Sequence, residues 1–402
     1  MAIQQTSSTT ILTQYEKRYR DGADYMRLYD QFCGVLRPTL EPKGQTVTVL
    51  MGTDLVPRPT TAIASQTADF EPQTWGDVST TVTTDYYHDG VKLHEKAQLI
   101  NYSDVLAESS KKVGMLMQET VDALARRQAT QGSVVFRGTN TTRATLDMGT
   151  TGDRMRQALF TKVNAIAQHW NTNKFIDGSI MCLMTPFQFA DLVTESGSNI
   201  LLSQGYTERG KDTLLNYELA KLYGVRISVA PHAKTFWGAG AANASRFGTS
   251  GTTLAAATAA GATTITVASA TNIDAGDWGF VGTVQTGNES DATLITEPFY
   301  VTAVDGTTIS VLGTGPLGGL RFAHASGVTV DNSDAVHCAV FGGPNSMVKV
   351  YSSELGEYGE LVPPFETGNA KQWTTVAFKW WGGFGIINQG WLMRAETSST
   401  EI

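Results

Sequence analysis

Charged residues are scarce in this 402-residue chain, where they make up 17% of the sequence, against about 25% in an average soluble domain. The only three cysteines, Cys33, Cys182 and Cys338, are widely spaced, and no two have the spacing of a metal site. Three such cysteines cannot form a closed disulfide set, so we expect reduced thiols. Apolar burial must therefore stabilise the chain, which is long enough for two or three domains.

Basic residues are in the minority. The formal net charge is −8. The segment 250–332 contributes −6 of it, because it contains a single basic residue, Arg321, and seven acidic ones: Asp274, Asp277, Glu289, Asp291, Glu297, Asp305 and Asp331. A dedicated DNA- or RNA-binding protein shows a basic stripe. This composition argues against that class, although it is compatible with a protein that encloses nucleic acid without binding it tightly.

The sequence shows no pattern typical of a signal peptide or of a membrane-spanning helix. The first ten residues, MAIQQTSSTT, contain neither a basic nor an apolar region, so we expect no signal peptide. The longest uncharged run, 247–273, consists mainly of alanine, threonine, glycine and serine. It lacks the large apolar side chains of a transmembrane helix, so we expect no membrane-spanning segment.

Nucleotide-binding chemistry has one partial match, GYTERGKD at 205–212. It departs from the phosphate-binding loop G-x-x-x-x-G-K-[ST] because Asp212 replaces the hydroxyl that would bind magnesium. Glu208 would also place a negative charge against phosphate. An ordinary loop is the better interpretation.

Metal-binding chemistry is similarly unsupported. His88 and His94 fall on one face of a predicted strand but about 20 Å apart, too far for one metal ion. Asp274 and Asp277 lack the spacing of a calcium loop and predict a turn before Trp278. The sequence therefore predicts no catalytic, cofactor-binding or metal-binding residue, no cofactor, and a protein that is not an enzyme.

The longest regular pattern predicts one helix over 103–132, about 40 Å long. An apolar stripe recurs at three- and four-residue spacing: Leu106, Val113, Leu116, Met117, Val121 and Leu124. The charged residues fall on the other side: Lys111, Lys112, Glu119, Asp122 and Arg126. The pattern alone suits an ordinary helix that faces a core, and also one that spans a flat subunit.

The segment before this helix predicts projecting structure. A helical pattern covers 11–31, and alternation predicts strands at 46–51 and 78–82. The stretch 54–77 between those strands is irregular and has little apolar material. Such an extension cannot bury itself. An arm that covers a neighbouring subunit would account for it.

The segment after the helix predicts a mixed α/β domain. We expect a strand at 134–136, a helix over 153–170, a strand at 180–184, a helix over 214–223 and a strand at 225–229. Thr185 and Pro186 suit the cap and first position of another helix.

Composition changes over 247–333, which contains no lysine and repeats strand-and-turn units. Asp305-Gly306 is a hairpin signal, so we expect a separate small β domain. Near the end, Val376, Phe378 and Trp380 alternate beside further tryptophans. These aromatics suit a packed core strand or a platform for stacking sugars or bases; alternation without basic neighbours favours the core strand.

Three segments then resemble parts of one family, the major capsid protein of tailed bacteriophages with the Hong Kong 97-type fold. IDGSIMCLMTPFQFADLVTESGSNILLS is similar to its strand and proline-led helix, LAKLYGVRISVAPHA to the following helix–glycine–strand, and WTTVAFKWWGGFGIINQGWLMRAE to its closing strand. The resemblance implies an α+β fold with an N-terminal arm (1–45), an extended β-hairpin loop (46–100), a peripheral domain with the spine helix (101–174 and 366–402) and an axial domain (175–246 and 334–365). The segment 247–333 is an inserted β domain.

The resemblance implies a structural protein that self-assembles, through hexamers and pentamers, into an icosahedral shell around double-stranded DNA. The expected location is the virion capsid, assembled in the host bacterial cytoplasm. Implied partners are further copies of the chain, a portal, a separate scaffolding protein and a decoration protein; DNA is contacted non-specifically, and no membrane is involved. Two alternatives remain open, a bacterial encapsulin-like compartment shell protein and an adhesin or glycan-binding surface protein.

Overall fold

A computed structural model describes residues 28–39, 46–52, 73–96, 105–195, 221–222, 224–241, 251–284, 295–331, 333–357, 359–368 and 372–399. The chain divides into two units. The first contains 33–124 and 347–387, and the second contains 28–32, 125–346 and 388–402. The mixture of helices and strands confirms the predicted α+β class. Among the described helices, none is long and apolar enough to cross a membrane.

The described residues form three α-helices: α1 (Val105–Ala129), α2 (Gln157–His169) and α3 (Pro186–Glu195). Short 3-10 helices cover Tyr29–Phe32, Arg143–Thr145, Thr151–Asp153 and Pro316–Gly318.

The strands of the described residues number twenty and are, in chain order: β1 (Val35–Thr39), β2 (Thr46–Gly52), β3 (Asp77–Thr83), β4 (Asp85–His94), β5 (Val134–Phe136), β6 (Ile180–Met184), β7 (Lys221–Leu222), β8 (Val225–Val229), β9 (Thr235–Phe236), β10 (Thr252–Thr253), β11 (Thr264–Thr266), β12 (Trp278–Val281), β13 (Glu297–Asp305), β14 (Thr308–Leu312), β15 (Thr329–Asp331), β16 (Val336–Gly342), β17 (Met347–Ser352), β18 (Glu360–Thr367), β19 (Trp373–Ile386) and β20 (Leu392–Thr397).

Helix α1 confirms the predicted long helix, with its C-terminus at Ala129 rather than 132. Its first described residue is Val105, and 101–104 lie outside the described residues. The buried face is wider than predicted, because two neighbouring rows at four-residue spacing are buried. One row contains Val113, Met117 and Val121, and the other contains Gln118 and Asp122. The expectation that Asp122 lies on the solvent side is therefore wrong.

The first unit is built around β19, which pairs with β17 and β18 along one side and with β4 along the other. Its alternating residues Val376, Phe378 and Trp380 are buried, which confirms the predicted core strand. Strand β1, which contains Pro38, pairs in parallel with β17 at the sheet edge. An edge strand accepts proline because its outward N–H needs no partner.

Strands β2 and β3 form an antiparallel hairpin, in register from Thr46 opposite Thr83 to Gly52 opposite Asp77. The two predicted strands are thereby confirmed, while 53–72 lie outside the described residues. The hairpin is anchored at its base, where Val49 and Val82 pack with Val348 and Val350 of β17.

The second unit contains a sheet of order β5-β20-β16-β6-β8-β7, with β9 also on β16. Helices α2 and α3 contribute Phe160, Val163 and Leu192 to its core. Thr185 caps α3 as predicted: Gln188 N donates to Thr185 Oγ1 (3.2 Å), and Thr185 N donates to Gln188 Oε1 (3.2 Å).

The helix predicted over 214–223 is wrong at its C-terminal end. Lys221–Leu222 form β7, which pairs antiparallel with β8, and the earlier residues lie outside the described ones. Gly224, with φ of +83°, makes the tight turn between the two strands. Pairing with a neighbouring strand has overridden helical propensity here.

Strands β10–β15 form a sheet of their own, in the order β10-β15-β12-β13-β14-β11. Its two outer strands also meet: Leu254 bridges Val267, Ala255 N donates to Thr266 O (2.8 Å), and Ala268 N donates to Thr253 O (2.8 Å). The six strands thus close into a small barrel around their own apolar core. The predicted hairpin at Asp305-Gly306 joins β13 to β14.

The chain leaves the second unit's sheet and returns to it at one place. Gly240 N donates to Asp334 O (2.9 Å), and Asp334 N donates to Ala241 O (2.9 Å). The entry and exit of the segment that holds the barrel are therefore direct neighbours, as an inserted module requires.

The boundaries of the two units fall after Leu124, Ser346 and Ile387 among the described residues that follow α1's first turn. Residues 125–174 and 388–402 belong to the unit of the seven-stranded sheet, whereas 347–365 belong to the other unit. The predicted closing strand is in fact two strands, because β19 and β20 pair in different sheets. Sequence order alone cannot reveal that exchange.

Candidate interaction surface

The groups considered for catalysis or metal binding do not converge in the described part of the chain. The match at 205–212 lies outside the described residues. Asp274 N donates to Asp277 Oδ2 (2.9 Å), so these two acids form the predicted turn before Trp278. No cluster of three potential metal ligands occurs among the described residues.

A cluster of charged side chains in the described part of the chain surrounds Glu396 on β20. Its fully buried carboxylate accepts hydrogen bonds from Arg137 Nε (2.9 Å) and Arg143 Nη2 (2.5 Å), and Arg394 Nε lies 3.2 Å away. Burial alone would raise the pKa of Glu396, but the hydrogen bond from Arg143 and the three positive charges outweigh it and hold that pKa below its usual value. This cluster joins β5 and β20 to the Arg143 segment, so its role is structural.

The neighbouring strand β16 carries two buried titratable groups. Burial lowers the pKa of His337 to about 3 and raises the pKa of Cys338 to about 12. All three cysteines are buried free thiols. A neutral imidazole and protonated thiols in a packed strand offer no nucleophile or base to a substrate.

The open feature of the first unit is the apolar face of the β2–β3 hairpin. Cross-strand pairs place Val49, Val78 and Val82 on one face. Along β3 this face goes from buried to open, because Val82 is 1% exposed and Val78 is 51% exposed. The hairpin is covered at its base and uncovered at its distal end.

Two further large side chains enlarge this open region. Leu50 is 63% exposed on the other face of the hairpin, and Trp75, just before β3, is 66% exposed. We call Leu50, Trp75 and Val78 the hairpin surface. Single exposed apolar residues are common, whereas several together are typical of an interaction site.

Glycines in β19 determine how the hairpin base is seated. A Cβ on Gly383 would lie 2.2 Å from Thr83 O, and a Cβ on Gly385 would lie 2.6 Å from Val82 Cγ2. Only a strand without side chains at these positions lets β3 approach so closely. In the sequence these glycines stand as WGGFG within an otherwise bulky strand.

Solved structures of bacteriophage capsids contain chains with a similar fold. The chain is similar to a chain in the capsid of Ralstonia phage GP4 (11% identity, TM-score 0.53, covering 92% of this chain and 88% of that one) and to one in the capsid of cyanophage P-SCSP1u with the same values. It is also similar to a chain in the cyanophage Pam1 capsid asymmetric unit (10% identity, TM-score 0.52, 94% of both chains). No protein-family model and no curated protein matches the sequence. The mixed helix and strand arrangement described above is the fold of these bacteriophage capsid chains.

Proposed function

We propose that this chain is the major capsid protein of a tailed bacteriophage and adopts the Hong Kong 97-type capsid fold. The main supporting observation is the hairpin surface, because Leu50, Trp75 and Val78 are exposed at the distal end of a hairpin whose base is packed on β17. The fold shared with phage capsid chains supports the proposal. The role is structural rather than enzymatic.

The proposed assignment of parts follows the two units. The unit of the five-stranded sheet, with most of α1 as spine helix, corresponds to the peripheral domain. The unit of the seven-stranded sheet corresponds to the axial domain, and the β10–β15 barrel is an inserted domain. Residues 1–45 supply an N-terminal arm, and the β2–β3 hairpin belongs to an extended loop over 46–100.

A shell of identical chains needs heterologous contacts that repeat and close. A projecting hairpin suits this task because it buries apolar area on a neighbour without needing a large core of its own. Low charge on the chain limits tight phosphate contacts, so packaged double-stranded DNA would be enclosed non-specifically. Further proposed partners are a portal, a separate scaffolding protein and a decoration protein, with assembly in the host cytoplasm.

The test is to remove the apolar character of the hairpin surface. In the double variant Leu50→Asp with Trp75→Ser, we expect a folded subunit that no longer forms shells, since both side chains are exposed in the subunit. Leu317→Asp is the matched control, because Leu317 is 100% exposed in the barrel. Shell yield is measured by sedimentation and electron microscopy of the chain co-expressed with its scaffolding protein. Normal shells from the double variant would refute the role of this surface.

A further inference from the structure

The outer face of the β10–β15 barrel carries a row of large side chains across three of its strands. Trp278 of β12 lies opposite Tyr300 of β13, which lies opposite Leu312 of β14. Val301 and Val311, the strand neighbours of Tyr300 and Leu312, are buried in the barrel core, so Tyr300 and Leu312 point outward. The rings of Trp278 and Tyr300 lie 5.3 Å apart, and Leu312 is 53% exposed. This row is therefore open to solvent.

A glycine-rich turn after β14 adds a second leucine beside this row. The turn is closed by its own backbone, because Gly313 N donates to Gly318 O (2.8 Å). It also lies against the row, since a Cβ on Gly318 would be 2.8 Å from Leu312 Cδ1. Leu317, which directly precedes Gly318, is 100% exposed. The turn thus presents an apolar side chain entirely to solvent.

Leu317 occupies a backbone conformation that favours glycine. Its φ is +58°, in the left-handed region where a Cβ is strained. Its side chain gains no burial in return, because it is fully exposed in the folded subunit. A strained residue that contributes nothing to the packing of its own domain points to a role in function. We call Trp278, Tyr300, Leu312 and Leu317 the barrel surface.

Acidic side chains adjoin the barrel surface. The turn from Asp274 to Asp277 leads directly into Trp278, and a Cβ on Gly276 in that turn would lie 3.9 Å from Tyr300 Oη. The segment 250–332 carries a net charge of −6. This charge would repel a nucleic acid or a second barrel, and it would attract a basic protein.

The chemistry of the exposed side chains also favours a protein over a sugar. A sugar stacks on the flat face of an aromatic ring, and the leucines offer it no such face. Leu312 and Leu317 are nevertheless more exposed than the two rings. Exposed aliphatic side chains next to aromatic ones, with charged groups at the margin, fit an apolar pocket on a protein partner.

We propose that the barrel surface binds a separate protein, which has an apolar pocket with a basic rim, on the outside of the assembled shell. This inference rests on the proposed shell function and specifies where its decoration protein binds. The outer side follows from charge, because an acidic barrel that faced packaged DNA would repel the phosphates. The leucines and rings enter the apolar pocket, and the acidic turn before Trp278 faces the basic rim.

The test separates binding from folding at Leu317. Glycine suits the left-handed backbone there, so we expect the Leu317→Gly subunit to have unchanged or higher thermal stability. Assembled shells are mixed with the small basic proteins encoded beside this chain's gene, purified one at a time, and bound protein is measured by co-sedimentation. We expect one of them to bind wild-type shells, and to bind Leu317→Gly shells at least tenfold more weakly. Ile176→Gly is the matched control, because Ile176 is equally exposed outside the barrel.

Two further measurements sharpen the test. Leu317→Asn also tolerates the left-handed backbone, so it replaces Leu317→Gly if that variant fails to fold, with the same expected loss. Binding should weaken as salt is raised, since exposed charges are screened. Binding that does not depend on salt would contradict the basic rim.

The outcomes distinguish this inference from the proposed function. Equal binding to wild-type and Leu317→Gly shells would overturn the inference and leave the shell function intact. Wild-type shells that bind none of the proteins would do the same, and binding of neutral oligosaccharides in their place would assign the surface to glycans. Loss of shells in Leu317→Gly would overturn it by assigning the surface to a contact between copies. If the wild-type chain forms no shells with its scaffolding protein, the proposed function fails, and the inference fails with it.

Discussion

At the scale of single residues, Glu396 is the clearest determinant of stability in the second unit. Its buried carboxylate faces Arg137, Arg143 and Arg394. In Glu396→Gln we expect the free energy of unfolding to fall by about 3–5 kcal/mol at pH 7, because three buried or half-buried guanidinium groups lose their counter-charge. Urea unfolding of the unassembled subunit measures it. A loss below 1 kcal/mol would contradict the account.

The same variant tests a pH dependence. The folded pKa of Glu396 lies below its unfolded value, so its contribution is fully present above about pH 4.5 and is lost as pH falls through the folded pKa. Wild-type stability should therefore fall more steeply below pH 4.5 than that of Glu396→Gln. Parallel curves for the two proteins would contradict the assignment.

His337 has a pH effect in a different range. Its folded pKa of about 3 lies below the unfolded value of 6.5, so protons bind preferentially to the unfolded chain as pH falls below 6.5. Between pH 7.5 and 5.0 the wild type should lose about 2 kcal/mol that His337→Phe does not lose. Urea titrations of both proteins at the two pH values provide the measurement. An equal loss in both would show that the imidazole is already charged or accessible.

Residue-level burial was the least predictable property. The sequence pattern of α1 places Asp122 on the charged side of the helix, opposite a narrow apolar stripe. Asp122 is nevertheless buried, because the buried face of α1 is two rows of side chains wide. Arg137 and Arg143 are 259 and 253 residues distant from Glu396 in sequence, and no local pattern encodes such a meeting.

At the scale of elements, the approach of the hairpin to β19 depends on Gly383. An alanine methyl there would lie 2.2 Å from Thr83 O, which forces the strands apart. We expect Gly383→Ala to destabilise the first unit by about 1–3 kcal/mol and to speed hydrogen exchange in β2 and β3. Gly132→Ala is the control, because its Cβ would lie 3.4 Å from its nearest neighbour. Similar exchange rates in both variants would contradict the close seating of β3.

The barrel of β10–β15 should be removable. Because Ala241 and Asp334 are hydrogen-bonded neighbours, a short glycine-serine linker can replace 242–333 without stretching the chain. We expect the shortened chain to fold and to retain the thermal transition of the seven-stranded sheet within a few degrees. Circular dichroism and calorimetry test this. An unfolded or aggregated product would show that the barrel is an integral part of its unit.

Elements with a strong local pattern were predicted well, and their pairing was not. Strands at 134–136, 180–184 and 225–229 and helix α1 follow hydrophobic periodicity, a local property of the chain. Strand pairing, in contrast, joins segments that are distant in sequence. Strand β20 pairs with β16 instead of continuing β19, and β1 pairs in parallel with β17. They depend on partners that sequence periodicity does not identify. For the hairpin surface, the sequence predicted only an extended segment with too little apolar material to form a core of its own.

At the scale of the whole molecule, two observations belong together: the fold of phage capsid chains and a hairpin whose apolar end is exposed. The exposed apolar surface is unfavourable for a chain that remains alone in solution, because such surface promotes association. Both observations support the proposed role of a shell subunit.

The most direct test is the mass and form of the particle that the chain produces. The chain is expressed alone and with its neighbouring genes, and the product is examined by light scattering and electron microscopy. The account predicts closed shells or tubes of uniform diameter and a mass of many subunits. A single small oligomer or monomer under every condition would contradict it.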